Sequence, residues 1–128
     1  MSDMRVIKFR GFNRKNGVWL YGFYLTNRGA HFVCPDEFAD GKSWDDYEID
    51  PETRGEYMGQ KDKNGREIYE GDVVATVVNG CRYVQEVVWS DATTGFSFRG
   101  HGCGPMFHKP SCMEVIGNIH DNPELLEQ

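Results

Sequence analysis

Hydrophobic and polar positions alternate in short runs, broken by Asn-Gly dipeptides rather than spaced for helices. Arg5-Val-Ile-Lys-Phe-Arg10 precedes Asn16-Gly17, and Val18-Trp-Leu-Tyr-Gly-Phe-Tyr-Leu25 follows it. Asn-Gly accepts positive φ at the centre of a tight turn, so β-rich flanks on both sides predict a hairpin. A second hairpin is predicted around Asn79-Gly80, between Asp72–Val78 and Arg82–Trp89. Both flanks are β-branched, and their apolar runs are too short for a buried helix. Phe96 and Phe98 share one face and Ser97 and Arg99 the other, the period of a strand. The last strand falls within Met113–Ile119, and Asn122-Pro123 then supplies a cap and first position for one short helical turn. Between residues 30 and 53 the pattern is weaker. Cys34–Gly41 reads as a helical turn, Ser43–Ile49 as a short edge strand guarded by acidic side chains, and Asp50-Pro51 as a turn.

Asn64-Gly65 lies in another tight turn, Asp62-Lys-Asn-Gly65, with Ile68 and Tyr69 as the first core residues after it. Glu70-Gly71-Asp72 then bends sharply into a strand, and a turn ending in Gly-Asp-Val-Val is common in small SH3-like barrels. These elements predict a mainly β fold whose C-terminal part carries a turn of the kind found in small SH3-like barrels. An N-terminal β-hairpin arm precedes that part, and helices are limited to short turns. The division expected is 1–53 for the hairpin and a variable acidic segment and 54–128 for a barrel of that kind, or both within one continuous compact unit. The length, 128 residues, suits one domain or a small domain with an arm. Seventeen aromatic residues (8 Phe, 6 Tyr, 3 Trp) argue against disorder.

Charge is unevenly placed. Residues 1–29 carry six Lys/Arg against one Asp, whereas 30–60 carry two against nine acidic residues. The chain as a whole is −6, which disfavours general polyanion binding because each phosphate contact needs a cation. Arg5, Lys8, Arg10, Arg14 and Lys15 nonetheless form a basic patch able to dock something anionic, or else the solvated face of the first hairpin. No apolar run approaches the roughly 20 residues of a membrane span, and no secretory signal is visible. A bacterial host cytoplasm, without membrane attachment, is the location expected.

The four cysteines contain no C-x-x-C pair, and in a reducing compartment they are expected to stay thiols rather than form a disulfide framework. His101, Cys103, His108 and Cys112 offer four zinc-type ligands in a Gly-rich loop, but the His101–Cys103 pair is too close for a zinc knuckle. No metal and no cofactor is expected. Glu67, Glu70 and Asp72 could be read as an acid/base set, yet the bend at Gly71 accounts for them, since Asp bonds neighbouring backbone amides. Ser90, Ser97 and Ser111 sit in no nucleophile elbow, and no phosphate-cradling loop precedes a helix. Trp19, Tyr21, Tyr24 and Trp89 could stack bases, but at strand spacing they are core candidates first.

Three blocks resemble the YopX-like family of phage and prophage proteins. They are Ile7–Gly11 with Trp19, Tyr21 and Gly22; Tyr57–Gly65 running into Glu67–Val73; and Glu114–Leu126. The segment 26–53 has no counterpart in the resemblance. The resemblance implies an SH3-like C-terminal barrel and a phage or integrated-element origin, and it implies no enzyme activity.

The expected function is therefore a non-enzymatic binding module for an unknown host or phage protein. The basic arm of one copy would meet the acidic 36–56 segment of another in a head-to-tail homo-oligomer that closes into a ring. The alternative is a nucleic-acid-binding barrel that uses the basic hairpin and exposed aromatics.

Overall fold

A computed structural model of the chain describes residues 6–36, 40–92, 94–101 and 109–126, with His101 described in its backbone alone. The fold is mainly β and antiparallel, and its described helices are all short 3-10 turns. Packing divides the chain into two compact units, Met1–Tyr57 and Met58–Gln128.

The first unit holds β1 (Phe9–Asn13), β2 (Val18–Asn27) and β3 (Ala30–Cys34) as an antiparallel meander. The Asn16-Gly17 turn joins β1 to β2, with Asn13 opposite Val18. Arg28-Gly29 joins β2 to β3 in two residues, at φ 52° and 82°, with Asn27 opposite Ala30. The middle segment does not form the expected edge strand. Ser43 donates its amide to the Asp46 carboxylate (2.9 Å), and this closes Trp44–Asp46 into a 3-10 turn. Only the bridge between Phe32 and Glu48 remains of strand pairing there.

Beyond that turn the chain runs from the edge of β3 to the edge of β1. Val33 donates to the Tyr47 carbonyl (3.0 Å) and Ile49 to that of His31 (2.9 Å). Asp50 then donates to Phe12 (2.9 Å), and the Phe12 amide donates to Thr53 Oγ1 (2.8 Å). A 3-10 turn at Pro51–Thr53 follows, and β4 (Gly55–Lys61) starts beside β1, with Gly55 opposite Arg10. Both edges of the meander are thus covered by backbone, which removes a template for unwanted pairing. The expected helical turn over 34–41 falls partly outside the described residues.

In the second unit, β4 ends beside β5 (Glu67–Tyr69), and a four-stranded sheet follows in the order β8-β7-β6-β9. Its strands are β6 (Asp72–Val78), β7 (Cys81–Ser90), β8 (Gly95–His101) and β9 (Glu114–Asn118). Asn79-Gly80 makes the predicted two-residue hairpin, φ 51° and 81°, with Val78 opposite Cys81. Val74, Val87, Met113 and Val115 pack with Ile68 of β5 into one buried cluster, against which Met58, Phe96 and Phe98 also lie. The same-face placement of Phe96 and Phe98 follows the period read from sequence. Between Val73 and Val74 the ladder to β9 slips by a residue, a bulge that sharpens the bend after Gly71. Among the described residues no ladder closes β8 onto β9. A 3-10 turn at Pro123–Leu126 ends the described chain.

Candidate functional site

The sequence-selected cations fall in three environments. Arg5 lies outside the described residues. Lys8 is half-buried, its ammonium 6.0 Å from the Tyr57 ring centre. Arg10 is only 4% exposed, with its guanidinium 5.0 Å from the Trp19 ring centre, so it is a packed cation rather than a surface one. Arg14 and Lys15 reach solvent on the β1–β2 turn, and both are paired. Arg14 donates to Asp50 at 2.5 Å, and Lys15 lies 3.1 Å from Asp45 and 2.9 Å from Asp46.

Asn13 anchors this meeting of turn and acidic segment. It is 1% exposed, and its Nδ2 donates to the carbonyls of Glu48 (2.7 Å) and Asp45 (3.1 Å). Its Oδ1 accepts from the Asn16 amide (2.7 Å), and Asn16 Nδ2 donates to Asp46 (3.0 Å). An open cleft of about 450 Å³ results, lined by Asn13, Arg14, Lys15, Asp45, Glu48, Ile49, Asp50 and Pro51.

The electrostatics of the cleft favour ions that stay charged. Hydrogen bonds from the Ser43 amide, Asn16 and Lys15 hold the Asp46 carboxyl well below the usual carboxylate range. The Ser43 hydroxyl and Lys15 lower Asp45, and Asp46 with Asp45 raises the Lys15 ammonium. None of these groups is moved toward neutrality, where a general acid or base works best. What the arrangement does is latch the hairpin turn to residues 43–50. Asn13→Ala is expected to lower stability by about 2 kcal/mol, since it strips three bonds from a buried site. Lys15→Ala is expected to leave the urea midpoint nearly unchanged, because exposed pairs contribute little. Urea titration followed by Trp19 and Trp44 fluorescence checks both.

Two features of this unit went unread in the sequence. Tyr24 Oη bonds His31 Nδ1, with the rings stacked at 5.7 Å, and the Arg54 guanidinium sits 4.9 Å from the Tyr24 ring centre. On the opposite face of β2, Tyr21 and Phe23 are 47% and 43% exposed. Phe23 is opposite Cys34, and Leu25 is opposite Phe32, on which Trp44 packs edge-on at 5.6 Å. Phe32 is itself buried with Cys34 and Tyr47, and Leu25 packs against them, so the exposed members of this face are Tyr21, Phe23 and Trp44.

Of the zinc-type ligands, Cys103, His108 and the His101 side chain lie outside the described residues, and Cys112 is an exposed free thiol. Among the described residues no three His, Cys, Asp or Glu side chains gather where they could hold a metal.

The YopX protein family model matches residues 8–127. The chain belongs to that family. It is similar to a solved structure, protein EF1440 from Enterococcus faecalis, at 25% identity and a TM-score of 0.60, covering 96% of this chain and 99% of that one. No curated protein matches it. Within the YopX span, the residues that stood out in sequence do structural work. A Cβ at Gly11 would lie 2.4 Å from Ile49 Cδ1. Asp72 is 1% exposed and accepts from the Tyr69 amide (2.7 Å), as the bend at Gly71 requires. Asn118 Oδ1 accepts from the amides of His120 and Asp121, both at 2.9 Å, and so fixes the turn after β9.

Proposed function

We propose that the protein is a non-enzymatic binding module of phage or prophage origin. It acts in the bacterial cytoplasm and docks a protein partner through the outer face of β2. The observation that carries this reading is the exposure of three aromatics, Tyr21 at 47%, Phe23 at 43% and Trp44 at 58%, with Trp44 packed on the buried Phe32. Aromatic anchors on an exposed face are the side chains that dominate protein interfaces. The non-enzymatic part is supported by how the carboxylates are used. Asp62 and Asp72 accept from backbone amides, and each resolved carboxyl shift is downward. The phage origin rests on the family resemblance, and the cytoplasmic location on the free thiols of Cys34, Cys81 and Cys112.

A protein partner is favoured over nucleic acid because Arg14 and Lys15 are already neutralised within the chain, whose net charge is −6. The same pairs bear on self-association. The basic arm and acidic segment meet in one chain, so a head-to-tail ring built on them would have to exchange these contacts between copies.

The test compares wild type with Tyr21→Ser/Phe23→Ser as bait in lysogenic-host extract treated with nuclease, and weighs both by light scattering at low and high salt. The expected result is a protein retained by wild type, insensitive to moderate salt, and lost with the variant. Retention of the same proteins by both baits overturns the reading. So does single-stranded DNA binding that weakens steeply with salt, which would establish the nucleic-acid alternative.

A further inference from the structure

The sequence contains Asn-Gly at 16–17, 64–65 and 79–80, and the fold treats the three differently. In Asn-Gly the unhindered glycine nitrogen can attack the preceding side-chain amide, one reason Asn is a labile residue. Attack needs that nitrogen free to lose its proton, and the Asn side chain free to swing onto it.

At the first site both needs are blocked. Gly17 donates its amide to Asn13 (2.9 Å), and Asn16 Nδ2 is held by Asp46 (3.0 Å). At the second, the attacking nitrogen is held, because Gly65 donates to the Asp62 carbonyl (3.0 Å), and the Asn64 backbone N–H donates to Asp62 Oδ1 (2.9 Å), which fixes the turn. At the third, Asn79 and Gly80 are both exposed at the tip of the β6–β7 hairpin. Among the described residues neither the Gly80 amide nor the Asn79 side chain has a hydrogen-bond partner.

We infer that Asn79 is the deamidation site of the native protein, and that Asn16 and Asn64 are protected by their hydrogen bonds. The Gly80 nitrogen forms a bond to Asn79 Cγ as the Cγ–Nδ2 bond breaks, and ammonia leaves with the proton lost by Gly80. Water then opens the cyclic imide at either carbonyl, giving aspartate or isoaspartate. The products differ in their effect on the fold. Aspartate tolerates the left-handed conformation at φ 51° and keeps the hairpin, whereas isoaspartate adds a backbone atom to a two-residue loop. That second product breaks the register of Val78 with Cys81. The hairpin tip thereby gains negative charge and, in part of the population, loses its closing pair.

The experiment incubates native and urea-unfolded protein at mildly alkaline pH. Proteolytic peptides are then mapped by mass, and isoaspartate is read by enzymatic methyl transfer. A hydrogen bond on the attacking nitrogen is expected to slow conversion about fivefold. Native protein is therefore expected to convert Asn79 about five times faster than Asn16 or Asn64, while unfolded protein shows no such preference. Equal or slower conversion at Asn79 in native protein overturns the inference. An equal Asn79 excess in unfolded protein also overturns it, because the cause would then be local sequence.

Discussion

Asp62→Ala is expected to lower the stability of the second unit by about 3 kcal/mol, enough to move its thermal midpoint down by roughly 10–20 °C. Asp62 is 5% exposed, and its two oxygens serve three backbone amides. Oδ1 accepts from Asn64 (2.9 Å) and Arg66 (2.8 Å), which shapes the turn between β4 and β5. Oδ2 accepts from Val115 (2.9 Å), fifty-three residues away on β9. Without the carboxylate, the amides of the exposed turn can turn to water. The Val115 amide cannot, because Val115 is itself 6% exposed, and an orphaned buried donor costs about 1–3 kcal/mol. Asp62→Asn separates the two roles. Its oxygen still serves the turn, but its amide group presents a donor to the Val115 donor, so an intermediate loss is expected. Urea denaturation followed by Trp89 fluorescence measures both, and a loss below about 0.5 kcal/mol for the alanine variant would contradict the argument.

The same residue sets an acid dependence. Burial raises the Asp62 pKa, but the amides of Val115, Arg66 and Asn64 outweigh it, and the carboxyl titrates below its usual range. A folded-state pKa below the unfolded value of about 3.9 means that the anion stabilises the fold above that pH. The contribution is lost as pH falls through the folded value. Asp62→Ala should therefore flatten the decline in stability below about pH 4.

Several of these devices were legible in the chain. Asn79-Gly80 announced the β6–β7 hairpin because both residues accept positive φ, and Phe96 with Phe98 announced a strand face. The tight turn at Asp62–Gly65 was also visible, but not its tie to Val115, since a bond across fifty-three residues leaves no local pattern. β3 was missed for a physical reason. Its turn places Arg28 at φ 52°, a conformation rarely given to Arg, so Gly29 stood without the Asn or Asp partner that marks a two-residue hairpin, and Ala30–Cys34 had no hairpin to belong to. Ser43–Ile49 reads as an edge strand guarded by acidic side chains, and capture of the Ser43 amide by Asp46 redirects it into a 3-10 turn.

The site divides in the same way. The opposed charge blocks at 1–29 and 30–60 were plain in the sequence, but whether they meet within a chain or between chains depends on the path of the backbone. The structure joins them through Asn13, a residue without charge and so without prominence. Arg10 shows the limit from the other side. Its spacing with Lys8 places it on one strand face, yet Trp19 across the ladder turns that cation into part of the packing. A basic run in a β protein is thus divided by register into buried and exposed members, and counting charges overstates what is offered to a partner.

Gly22→Ala is expected to cost the first unit at least about 3 kcal/mol, with loss of the β2–β3 pairing. A Cβ built at Gly22 would lie 1.9 Å from the Cys34 carbonyl oxygen and 2.6 Å from its carbon. Those atoms are backbone, so no rotamer change can relieve the overlap, and β3 must move as a strand. Movement is expensive there. Cys34 and Val33 are both fully buried, Phe23 pairs with Cys34, and Val33 also donates to the Tyr47 carbonyl. Displacing β3 therefore releases the segment that covers both edges of the meander. Gly29→Ala is the matched control. Gly29 has φ 82° but nothing within 4 Å of a built Cβ, so its cost is limited to backbone strain, about 1–2 kcal/mol. Amide hydrogen exchange across Phe23–Asn27 and Ala30–Cys34 reads the difference directly. Protection should collapse in Gly22→Ala and persist in Gly29→Ala, and equal protection in the two variants would mean that the close approach of Gly22 to Cys34 does not hold this unit together.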